Sequence, residues 1–189
     1  MIIVLIGAAI ALAACGAPDS PTAANQTEHA PETAAESGPE TQPAAAQQDD
    51  HDDGVVVIEM HAAAGRNYND PIGIHVEPGT TIRFVNATGM HSATTYHPDN
   101  GRDLRIPPDA ESWDSGLITR RNSTFEVTLT VEGVYDYYCV PHEAMGHVGR
   151  IIVGDPDASP ASPTDGLMAA VRNALPSVER IMAEHIVRP

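Results

Sequence analysis

The chain has 189 residues and a formal net charge of −16, from 26 acidic against 10 basic residues, all of the latter arginine. At roughly 100–200 residues per domain this is one folded domain with attachments, too small for a large enzyme, and its charge leaves no basic footprint for nucleic acid. Aromatics are 4 % of the chain, with 16 Pro and 15 Gly, so part of it cannot build a packed core. The 2 cysteines fall in unrelated contexts and give no disulfide framework.

In chain order, residues 1–14 hold an apolar run from Ile2 to Ala14. It is short for a span, since ~30 Å of hydrocarbon takes ~20 residues, and it reads as an export signal. The sequence Leu12-Ala13-Ala14-Cys15 resembles a bacterial lipobox, which implies cleavage before Cys15 and lipidation of its thiol, although no Lys or Arg precedes the apolar run. Residues 15–53 then turn to Ala, Pro, Thr, Gln and acidic residues without apolar periodicity. Such a segment cannot offset its conformational entropy by burial, and it is expected to be a disordered tether. Its Asp49-Asp50-His51-Asp52-Asp53 cluster is read as a hydrated tract rather than a metal site.

Residues 54–154 carry strand signals throughout. Val55-Val56-Val57-Ile58-Glu59-Met60 is β-branched and apolar, Ile74-His75-Val76 alternates, and Glu77-Pro78-Gly79 turns into Thr80-Thr81-Ile82-Arg83-Phe84-Val85-Asn86. Phe125, Val127 and Leu129 alternate with Glu126, Thr128 and Thr130, the pattern of a half-buried strand. After a Glu132-Gly133 turn come Val134 to Cys139, and Val148 to Val153 close the domain. Short strands spaced by turns, with no helical run between them, predict an all-β, antiparallel β-sandwich. Trp113 is expected to cap one end of it, Tyr135 and Tyr137 to fill its core, and His75 to face solvent.

Residues 155–189 begin as a Pro/Ser/Asp linker and become helical. Thr164 is expected to cap a helix with Leu167, Met168, Val171 and Leu175 on one face. Pro176 would start a second with Val178, Ile181, Met182 and Ile186 in register. The pair is expected to pack as a hairpin on the sandwich or on a second copy, which leaves a monomer or a dimer through these helices.

The chemistry is concentrated in Cys139-Val140-Pro141-His142-Glu143-Ala144-Met145-Gly146-His147. A cysteine at a strand end is by itself more often a small buried hydrophobe. A histidine three residues on, with His or Met behind it, reverses that reading. Pro141 stiffens the turn so that thiolate and imidazole can face one point, and His91, on a loop after Asn86, is placed to add a second imidazole. His97 competes for that role; His61 and His185 have no evident metal role. Two imidazoles, one thiolate and a weak axial donor form the ligand set of copper electron-transfer sites.

Gly133 to His142, followed by Gly146, resembles the Cys-loop of cupredoxins, especially plastocyanin, pseudoazurin and halocyanin-like proteins. Val76 to Asn86, leading to His91, resembles the strand and loop that deliver their first histidine. The resemblance implies a cupredoxin-type Greek-key β-sandwich holding one mononuclear copper, with His91, Cys139 and His142 equatorial. The axial position departs from the family pattern. His147 stands where plastocyanin and pseudoazurin place methionine, as it does in nitrosocyanin, while Met145 stands where amicyanin places it. His147 is the favoured axial ligand and Met145 the alternative. An axial imidazole should favour Cu(II), lower the potential, and give a green or red rather than a deep blue protein.

The function this implies is single-electron transfer by an exported protein, lipid-anchored to the cell membrane and facing the periplasm or exterior. Its partners would be transient redox proteins such as a cytochrome or an oxidase, with the negative field steering basic ones. Two alternatives remain at this point: a copper-site enzyme or sensor, and a copper storage or delivery protein.

Overall fold

The structure is a computed structural model, and it describes residues 54–189. The expected export signal, the lipidated Cys15, the tether and its acidic cluster lie outside the described residues. Among the described residues nine strands form two sheets: β1 (Val55–Ala63), β2 (Arg66–Asp70), β3 (Gly73–Val76), β4 (Thr80–Asn86), β5 (Thr94–Thr95), β6 (Thr124–Leu129), β7 (Gly133–Tyr138), β8 (Val148–Val153) and β9 (Ile186–Val187). One sheet runs β2-β1-β4-β6 and the other β5-β7-β8-β3-β9.

Local chemistry sets the first hairpin. Ala63 pairs with Arg66, so β1 and β2 are joined by Ala64 and Gly65 alone. Both have positive φ, 51° and 75°, the mirror-image turn whose twist matches that of the flanking strands. After β2 the chain crosses to the second sheet for β3 and returns for β4. The returning strands therefore lie parallel: β4 beside β1 and β8 beside β3. The uniformly antiparallel sandwich read from turn spacing is corrected on this point, because turn signals mark where strands end and not which sheet the next one joins.

Alternation places the core. Ile82 and Phe84 of β4 and Ile58 and Met60 of β1 face Tyr135 and Tyr137 of β7 and Ile151 and Val153 of β8. Phe84 meets Tyr137 edge-on at 5.1 Å between ring centroids. Trp113 belongs to this core rather than to its end, 7 % exposed and stacked on Tyr135 at 6.1 Å. Thr95 holds it there: the Thr95 N–H and hydroxyl both donate to the Trp113 carbonyl, at 3.0 and 3.1 Å.

Every residue of β7 and β8 is buried, because the C-terminal segment covers the outer face of their sheet. The first helix is shorter than expected, α1 (Ala169–Ala174), and it starts at Met168 without a side-chain cap; Thr164 instead accepts the Leu167 N–H in a preceding turn. Leu175 ends it in an extended conformation ahead of Pro176, as the residue before a proline must. Ser177 then caps α2 (Val178–Glu184), its hydroxyl accepting the Arg180 N–H. Val171 packs on Tyr96, Tyr138 and Val148, and Ile181 on Val134, Ile152 and Val187. Ile186 is exposed and Val187 buried, since the chain leaves α2 to become β9, antiparallel to the edge of β3.

Beneath this cover lies a charged cluster. Asp136 on β7 receives Arg105 at 2.8 Å and Arg150 at 2.7 Å, with all three side chains at most 5 % exposed. The guanidiniums use their remaining donors on the tail: Arg105 on the Ser162 and Pro163 carbonyls, Arg150 on that of Pro176. His75 does not face open solvent. Its ring stacks on His185 at 5.4 Å and bonds the Gly154 carbonyl at 3.0 Å.

Candidate metal centre

β4 ends in Asn86, whose buried carboxamide donates to the Gly89 and Ile118 carbonyls at 3.0 and 3.1 Å. These bonds fold residues 87–90 into a tight loop, and His91 is then clamped by a mutual backbone pair with Ile118, at 3.1 and 2.7 Å. His91 Nε2 lies 2.8 Å from the Thr88 carbonyl, which can only accept. The proton therefore sits on Nε2, and Nδ1 keeps its lone pair, 3.8 Å from Cys139 Sγ.

Cys139 follows directly on β7. The loop after it closes on itself: the His142 N–H donates to the Cys139 carbonyl at 3.0 Å, and the Cys139 N–H to that of His147 at 3.0 Å. Within it, Glu143–Met145 make one 3-10 turn ended by Gly146 at φ 82°, a conformation that favours glycine. A side chain at 146 would also meet the Ala170 carbonyl oxygen at 2.9 Å, so α1 is seated directly on this loop. Arg102 pins the turn from outside through a 2.7 Å bond to Glu143. His142 Nδ1 comes to 3.5 Å from Cys139 Sγ.

His147 completes the group. It is fully buried, its ring edge-on to His91 at 4.7 Å and stacked on His142 at 6.0 Å. Its Nε2 lies 2.9 Å from Asn69 Oδ1, while its Nδ1 is buried with no hydrogen-bond partner among the described residues. One donor atom from each of His91, Cys139, His142 and His147 falls within 4.8 Å of the others. Met145 is 59 % exposed, and its sulfur accepts from Asn67 Nδ2 at 3.7 Å. His97 is engaged as the cap of a 3-10 turn over Pro98–Asn100, where its Nδ1 accepts the Asp99 N–H at 3.1 Å. His61 stacks on Tyr68 and is not among the four grouped donors.

The electrostatics suit a cation. Burial lowers the His91 pKa and pushes that of His147 down to about 3, with the neighbouring imidazoles adding to the effect. Both rings are thus neutral donors at ordinary pH. Burial raises the Cys139 pKa, so without a counter-charge the sulfur keeps its proton. Donors each about 2.0–2.3 Å from one ion sit roughly 3–4 Å apart, the spacing found between this sulfur and the two nearer imidazoles. One soft sulfur with imidazoles suits copper, and an orphaned lone pair at His147 Nδ1 is what a site built to receive an ion would leave.

Asn69, Asn86 and Ser92 also build the centre, and motif reading does not single them out for that role. Asn69 carried one available signal, an asparagine inside a strand, where that residue is depleted.

Residues 56–154 match the family model for copper binding proteins of the plastocyanin/azurin family. The chain is 32 % identical to the chloroplastic plastocyanin of Chlamydomonas reinhardtii over 96 residues, covering 51 % of this chain and 65 % of that protein. It is 31 % identical to the pseudoazurin of Paracoccus pantotrophus over 86 residues, 46 % of this chain and 52 % of that one. The match thus spans between half and two thirds of these relatives' lengths. Among solved structures, a pseudoazurin from Sinorhizobium meliltoi superposes with a TM-score of 0.51 at 33 % identity, covering 69 % of this chain and 94 % of that one.

Proposed function

The chain belongs to the plastocyanin/azurin family of copper-binding proteins, and we propose that it is a single-electron carrier whose copper is held by His91, Cys139, His142 and, on the axis, His147. The observation that carries this reading is the convergence of four donor atoms, one from each residue, within 4.8 Å, beside a buried His147 Nδ1 that has no hydrogen-bond partner among the described residues. Bound copper supplies a one-electron couple between Cu(I) and Cu(II).

The protein's own part is rigidity. His91 is fixed by Thr88 and Ile118, Cys139 by Ser92 and His147, and His142 by the Cys139 carbonyl. Donors held by backbone bonds barely move when the charge at the centre changes, which keeps the reorganisation cost of transfer low. His142 is the half-buried member of the group and serves as the electron's exit. Exposed Met90, Val140 and Met145, each within three residues of a donor in sequence, give it an apolar surround for a brief, small contact. A net charge of −16 favours cationic redox partners such as a cytochrome or an oxidase domain.

Leu12-Ala13-Ala14-Cys15 supports export and lipid attachment at Cys15, and residues 16–53 supply a tether long enough for the folded head to reach partners from a membrane surface. Among the described residues no helix is long and apolar enough to cross a membrane.

Optical and electron paramagnetic spectra of the copper-loaded protein test the centre. One copper per chain, with a copper–thiolate band that disappears in Cys139→Ser, is the expected result. No stoichiometric copper, or a spectrum unchanged by that substitution, overturns the proposal.

A further inference from the structure

Asn69 and His147 are 78 residues apart in sequence and form one buried unit. Asn69 stands on β2 in one sheet, 2 % exposed, and its Nδ2 donates to the carbonyl of Val148 on β8 in the other sheet at 2.9 Å. A carbonyl cannot donate, so the amide can face Val148 only with its nitrogen, and Oδ1 is left facing the imidazole. Oδ1 in turn can only accept. The proton on His147 must therefore sit on Nε2, 2.9 Å away, and the lone pair on Nδ1, the buried atom with no hydrogen-bond partner among the described residues, on a ring that is grouped with Cys139, His91 and His142.

A buried asparagine needs both ends of its amide paired, and here the pairs are the Val148 carbonyl and the His147 imidazole. Asn is depleted in strands, and its carboxamide is costly to bury unless its polar atoms are paired. With a thioether at position 147, Asn69 Oδ1 would lose this donor; with an imidazole it gains one.

We propose that Asn69 is the positioning residue of the metal centre, setting the tautomer and aim of His147 so that Nδ1 is the nitrogen offered to copper. The inference rests on the reading of His147 as axial ligand, and it adds that this ligand is specified by a residue of the opposite sheet. Partners of this kind, accepting the second N–H of a ligating imidazole, hold the ring in place and raise its basicity.

The first test needs no substitution and no metal: long-range nitrogen–proton correlation spectra of the apoprotein, with His147 assigned, should show the Nε2–H tautomer. An Nδ1–H tautomer overturns the proposal. In Asn69→Leu the tautomer should become mixed and copper affinity fall about tenfold to a hundredfold, with the visible spectrum moving toward that of His147→Leu. Asn69→Asp, which keeps the acceptor, should retain the Nε2–H tautomer and the spectrum. In a His147→Met background Asn69→Leu should leave affinity and spectrum unchanged; an equal loss there means that Asn69 acts on the fold alone and refutes positioning. If Asn69→Leu does not fold, the tautomer of the unaltered apoprotein decides. A copper spectrum untouched by His147→Leu would defeat the axial assignment separately, whatever the tautomer.

Discussion

The backbone N–H of Ser92 points at the sulfur of Cys139 across 3.4 Å, while the Ser92 hydroxyl accepts the N–H of Val140 at 2.8 Å. One residue of the His91 loop thus ties the Cys139 loop on both sides of its sulfur. Truncating it in Ser92→Ala removes the acceptor for Val140 and should cost about 1 kcal/mol. Urea unfolding of the apoprotein measures that cost, and the copper–thiolate band of the loaded variant should shift as the sulfur's surroundings loosen.

His147 and Met145 make opposite predictions. Met145→Leu removes an exposed thioether that accepts a bond from Asn67, and it should leave the copper spectrum unchanged and stability within about 0.5 kcal/mol. His147→Met replaces a hard donor by a soft one, so the reduction potential should rise and the colour move toward deep blue. Paired voltammetry and absorption spectra of the two variants check both outcomes.

Acid should weaken the apoprotein through His147. Its folded pKa of about 3 lies below the ordinary value of 6.5, so between these pH values the unfolded chain binds a proton that the folded chain refuses. The stability linked to this group is fully present above pH 6.5. It falls as the pH drops toward 3, with a slope of at most about 1.4 kcal/mol per pH unit. Unfolding curves of the apoprotein across that window should be steeper in pH than those of His147→Leu; identical slopes would contradict the assignment.

Asp136→Asn should be among the most damaging changes in the molecule. It leaves the guanidiniums of Arg105 and Arg150 buried without their counter-charge, a loss of about 3–5 kcal/mol. Because the same arginines hold the carbonyls of Ser162, Pro163 and Pro176, the tail should loosen with it, and limited proteolysis after Asp155 should speed up alongside the lowered urea midpoint.

Steering by charge predicts a salt effect. Electron exchange with a cationic cytochrome should slow steeply as ionic strength rises, because about 0.1 M salt already screens fields beyond ~10 Å. Stopped-flow rates at several salt concentrations test this, and a flat response would remove the steering argument.

The sandwich and the grouping of His91, Cys139, His142 and His147 were legible in sequence for different reasons. Cys139, His142 and His147 lie within one short loop, so spacing alone brings them near each other, and alternation in Phe125 to Leu129 survives as the exposed and buried faces of β6. Asn69 was hidden because its bond to His147 depends on how β2 of one sheet meets β8 of the other, which no local pattern encodes. Asp136 was hidden in a related way. Between Tyr135 and Tyr137 it alternates onto the outer face of β7, and the tail, far off in sequence, covers that face and makes it the seat of an ion cluster. Trp113 was misplaced since its position is set by bonds to Thr95 rather than by any periodicity around it.

The short strand β9 has a consequence for how the protein keeps its own company. Without it, β3 would offer a row of bare amides and carbonyls to any extended chain that passed, the usual starting point for edge-to-edge aggregation. Ile186 and Val187 occupy that row and then stop, too short to serve as a template in turn. The β3 side of that sheet is thereby closed to strand pairing with a second copy.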